Sequence, residues 1–67
     1  MKVTHISGAM TVERDGVQQV VIVHGRWEKT AEDWRLNLDQ CIEARTGRAT
    51  VLTVEEVDQI RREFRPE

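Results

Sequence analysis

The Asp15-Gly16 pair constrains this chain more than any other feature, because it separates two segments of extended character, Met10 to Arg14 and Val17 to Gly25. A two-residue hairpin loop of type I′ needs positive φ at both central positions, and Asp-Gly supplies that at low steric cost. A turn placed there fixes the register, with Arg14 opposite Val17, Val12 opposite Gln19 and Met10 opposite Val21. Side chains alternate along a strand. One face therefore carries Met10, Val12, Val17, Val21 and Val23, and the other carries Ala9, Val20 and Ile22 among Thr11, Glu13 and Gln18. The run Val20-Val21-Ile22-Val23 makes the second of these strands apolar on both faces, and such a strand needs cover on both.

Around this hairpin the chain reads as one α+β domain over residues 1–67. Lys2 to Ser7 is rich in β-branched residues and ends at Gly8, which predicts a separate first strand, with Val3 and His5 on one face and Thr4 and Ile6 on the other. With strands at 9–14 and 17–25 it forms a three-stranded antiparallel meander, about the smallest sheet that stands with one face covered. Beyond Trp27 the spacing predicts a helix. Thr30 is a candidate N-cap, Glu32 and Asp33 suit the positive end of the helix dipole, and Gly47 is the residue type favoured past a C-terminus. On that helix Ala31, Trp34, Leu38, Cys41, Ile42 and Arg45 share one stripe, while Leu36 falls on the outer side. Arg48 to Leu52 reads as a short strand or an extended connector. Thr53 followed by Glu56 is a capping box, which predicts a second helix over 54–64 with Val57, Ile60 and Phe64 facing inward.

With 67 residues, a single core is close to the lower limit of sufficiency. Twelve acidic and ten basic residues are interspersed and leave a net charge of −2, which gives no general attraction to phosphate or to an anionic membrane. One cysteine excludes an intrachain disulfide framework and fits a reducing compartment. Neither a signal peptide nor an apolar run of membrane-spanning length is present, so a cytoplasmic location is expected.

Few residues offer chemistry. His5, His24 and Cys41 are the metal-competent set, but their spacing matches no compact ligand pattern, and Cys41 falls in an apolar stripe, where a thiol behaves as a small hydrophobe. The expectation is two half-exposed histidines and a core cysteine, with no metal and no cofactor. No nucleophile elbow, phosphate-cradling loop or paired carboxylate is found, and a chain this small rarely encloses a substrate pocket alone. No catalytic residue is assigned, and an enzyme is not expected.

Two binding roles remain. The apolar strand surface exceeds the cover this chain can supply, which points to a protein partner and to a homodimer. Val20, Ile22, Trp27 and Leu36 are the candidate contact residues. The expected role is that of an inhibitor, an antitoxin-like factor or an assembly accessory, and the chain's length fits a phage or mobile-element protein. The alternative is a small nucleic-acid-binding regulator that uses Arg61, Arg62 and Arg65. Against that reading, Glu55, Glu56, Asp58 and Glu63 share the same helix, and basic residues near a helix C-terminus follow from the dipole alone.

Overall fold

The computed structural model describes residues 2–66. Three strands, β1 (Val3–Arg14), β2 (Val17–Lys29) and β3 (Trp34–Glu43), form an antiparallel sheet in the order β1-β2-β3, and one helix, α1 (Val54–Glu63), follows. The hairpin stands as its turn residues dictate. Asp15 and Gly16 have φ of 53° and 75°, and the register pairs Arg14 with Val17, Val12 with Gln19 and Met10 with Val21. Gly8 does not interrupt the first strand, which runs unbroken from Val3 to Arg14. What holds it extended there is pairing with Val23 on β2 and the ring of Phe64 lying over the glycine.

The predicted helix over 30–46 is not formed, and β3 occupies that stretch. The reason lies in the alternation Trp34, Leu36, Leu38 against Arg35, Asn37, Asp39, a period of two that puts three large apolar side chains on one face of a strand. A bulge opposite His24 and Gly25 inserts one residue, so that Cys41 rather than Gln40 continues the inward face. Thr30 does act as a capping side chain, but for a loop: its Oγ accepts from the Asp33 amide at 3.0 Å. The Thr30 amide donates to the Asp33 carbonyl at 2.8 Å, which closes the connection between β2 and β3. Gly47, with φ of 73°, closes a turn from β3 by donating its amide to the Glu43 carbonyl. The chain then returns along the β3 edge, where Ala49 bridges Ile42. Arg48 to Leu52 is therefore a connector with a single bridging residue.

The core lies between the inner sheet face and α1. Met10, Val12, Val21, Val23 and Ile60 are buried together, and Ile6, Leu36, Leu38, Cys41, Leu52 and Phe64 pack around them. The capping box is complete: Glu56 N–H donates to the Thr53 hydroxyl at 3.2 Å, and Thr53 N–H donates to the Glu56 carboxylate at 2.9 Å. The same carboxylate receives the Arg14 guanidinium at 3.1 Å, and Arg14 also donates to the Thr50 hydroxyl at 2.6 Å. These contacts tie the start of α1 to the hairpin end of the sheet. At its other end, Trp27 Nε1 donates to the Phe64 carbonyl at 2.9 Å. Among the described residues, no helix is long and apolar enough to cross a membrane.

Candidate functional site

The sheet has one face under α1 and one face open. On the open face the register aligns Ala9, Ile22, Ile42 and Ala49 in a row that runs across β1, β2, β3 and the returning connector. Val20 extends the row toward the hairpin turn and is 47% exposed. Ile22 and Ile42 are half-buried by their neighbours alone, whereas Ala9 and Ala49 are exposed. Alternation dictates this arrangement, since Met10, Val21, Val23 and Cys41 must point inward for the core and their neighbours in sequence then point out.

Beside the apolar row the open face turns polar. The next row holds Ser7, His24 and Gln40, with the Ser7 hydroxyl and His24 Nδ1 3.2 Å apart. Beyond it Arg26 bonds Asp39 at 2.8 Å and Glu28 at 3.2 Å, and Asn37 also donates to Glu28. Exposed ion pairs of this kind contribute little to stability. They do set a charged border along one side of the apolar row.

Of the four partner-contact candidates, the structure brings Val20 and Ile22 together on the open face and puts Trp27 and Leu36 on the other. Trp27 is 4% exposed, with its indole N–H satisfied by Phe64. Leu36 was expected on the outer side of a helix. With a strand there instead, it pairs with Trp27 and packs half-buried against the core. Ile42 and Ala49 belong to the row but were not singled out in the sequence. Only the β3 pairing reveals them, because on a helix Ile42 would have faced inward.

The C-terminal arginines are divided. Arg61 is paired with Asp58 at 2.8 Å, and Arg65 lies 3.8 Å from Asp33. Both line a small cleft with Trp27 and Trp34, whereas Arg62 lines a different depression near Arg14 and Gln18. His5 and His24 lie on the open face, and Cys41 faces the core opposite Val23. The sheet itself thus separates the thiol from the imidazoles, and among the described residues no three metal-competent side chains converge. Desolvation pushes the Cys41 thiol above its ordinary pKa, which lowers its reactivity. Compared with known proteins, the chain matches no family model, no curated protein and no solved structure.

Proposed function

We propose that this chain is a non-enzymatic interaction protein that acts as a homodimer and binds a partner protein through the open face of its sheet. An inhibitor, an antitoxin-like factor and an assembly accessory all work in this way. The observation that carries the reading is the transverse row Ala9, Ile22, Ile42 and Ala49, extended by Val20, over which none of the described residues forms an element. An antiparallel sheet can leave one face in water when that face is polar, and most positions of this face are, from His5, Ser7, Thr11 and Glu13 on β1 to His24, Arg26 and Glu28 on β2. The apolar row crosses this polar surface, and apolar centres with polar rims are the anatomy of protein interfaces. The proposed contact residues are Val20 and Ile22, with Ile42 beside them.

The test is a charge at the middle of the row. Ile22→Lys points outward and leaves the core untouched, so the variant folds as the wild type does. The tagged wild-type chain is expected to retain a discrete partner that Ile22→Lys does not retain. Equal retention by both proteins would refute the assignment of the face.

A further inference from the structure

We infer that β1 pairs edge to edge with β1 of a second copy, about a two-fold axis at Ala9, to give a continuous six-stranded sheet. This rests on the reading of the chain as an interaction protein and specifies how its homodimer forms. The β1–β2 ladder has a fixed hydrogen-bonding parity. Lys29 N–H donates to the Lys2 carbonyl directly opposite at 2.8 Å, and a two-residue turn makes Arg14 and Val17 a hydrogen-bonded pair as well. Even-numbered residues of β1 therefore turn their backbone groups toward β2. Val3, His5, Ser7, Ala9, Thr11 and Glu13 turn theirs outward.

Among the described residues, the only partner of these outward groups is Gln59, whose side-chain amide donates to the Thr11 carbonyl at 3.1 Å. Sheet edges are ordinarily protected by bulges, prolines, short strands or covering segments. The β3 edge has two such devices: the bulge near Gly25, and the connector that bonds Cys41 and Glu43 through Thr50 and Arg48. The β1 edge has twelve residues with neither bulge nor proline, and its cover from α1 is the Gln59 side chain at Thr11.

Set against itself, the sequence of β1 is complementary to a second copy. Centred on Ala9, an antiparallel register sets Ser7 against Thr11 and His5 against Glu13 on the open face. On the helix side it sets Ile6 against Val12 and Gly8 against Met10. Small residues meet at the axis, hydroxyl meets hydroxyl, imidazole meets carboxylate, and the apolar pairs continue the core. Centring on Gly8 instead opposes Lys2 to Arg14, and centring on Met10 opposes Ile6 to Arg14. Once Gln59 releases the Thr11 carbonyl in each copy, the Ala9 register forms about ten intermolecular backbone hydrogen bonds, the number found in a typical stable interface.

Sedimentation of wild type, Ser7→Pro and Ala9→Lys over the micromolar range tests this. The Ser7 amide points out of the sheet, and proline is tolerated at such edge positions, so Ser7→Pro keeps the β2 ladder. The expected results are a wild-type mass of two chains and, for Ser7→Pro, a dimer weakened on the order of 100-fold, because symmetry removes two donors. Ala9→Lys, which sets like charges opposite each other at the axis, is expected to run as one chain. Circular dichroism verifies that each variant is folded, and if Ser7→Pro is not, Ala9→Lys decides. A single-chain mass for wild type at all concentrations overturns the inference, as does a dimer that survives the folded variants. Ile22→Lys keeps the two readings apart, since it is expected to lose the partner protein and to remain dimeric.

Discussion

Replacing Glu56 with alanine removes a side chain that both completes the helix cap and bonds Arg14 of the sheet. Its carboxylate accepts from the Thr53 amide at 2.9 Å and from Arg14 at 3.1 and 3.4 Å, in a site where the Glu56 side chain is 11% exposed and that of Arg14 24%. Loss of the capping contact costs about 0.5–1 kcal/mol. Charge-assisted hydrogen bonds contribute about 1.5–3 kcal/mol, and the lower end applies because Arg14 reaches solvent and keeps Thr50 and the Val51 carbonyl as acceptors. The sum is roughly 2 kcal/mol, or a fall in Tm of roughly 8–16 °C for a domain of this size.

The same pair sets a pH dependence. The Arg14 hydrogen bond outweighs the opposing effect of desolvation and holds the Glu56 carboxyl below its ordinary range. A carboxyl whose folded pKa is lowered contributes stability that is fully present above its unfolded pKa and is lost as pH falls through the folded value. Urea unfolding followed by circular dichroism should therefore show the gap between wild type and Glu56→Gln narrowing as pH drops below the usual carboxylate range. A double-mutant cycle with Arg14→Ala should return a coupling of at least about 1 kcal/mol. A cost for Glu56→Ala under about 0.5 kcal/mol, or a gap that does not change between neutral and acid pH, would refute the assignment of this pair as the tie between helix and sheet.

Two further substitutions probe the sheet and the core. A methyl group at Gly25 would lie 2.5 Å from the Asn37 carbonyl and 3.1 Å from Leu38 Cα, both backbone, whereas one at Gly8 would meet only the Phe64 ring at 2.7 Å. Gly25→Ala should therefore cost about 2 kcal/mol or more and Gly8→Ala distinctly less, since a ring at the helix end can swing aside; thermal melts giving the reverse order would contradict the bulge geometry. Ile60 is fully buried, and Ile60→Ala should cost about 2–5 kcal/mol in urea unfolding; under about 1 kcal/mol would mean that α1 is not docked on the sheet.

What could be read from the residues was whatever depends on near neighbours in the chain. Asp15-Gly16 set a turn type, the turn set a register, and the register divided Met10, Val12, Val21 and Val23 from Ala9, Val20 and Ile22. Thr53 and Glu56 announced a helix start for the same reason, since both halves of a capping box lie within one turn. The candidate surface was legible only as far as the hairpin extends, which is why Val20 and Ile22 were found and Ile42 and Ala49 were not.

The segment from Thr30 to Thr46 is where local information ran out. A capping threonine, early acids, good helix formers and a terminal glycine agree with a helix, and Leu36 was the one residue out of place. As a strand, Leu36 joins Trp34 and Leu38 on a single face beside Trp27 and Gly25, and the inner sheet gains the width that α1 needs beneath it. Burial against residues distant in sequence outweighs local preference in such a segment, since propensity differs by tenths of a kcal/mol per residue and a buried leucine gains about 2 kcal/mol. Interactions within a few residues specify the hairpin, its two faces and the helix start at Thr53. That β3 completes the sheet and that an apolar row lies open across it depends on which strand lies beside β2, a pairing between residues far apart in the chain.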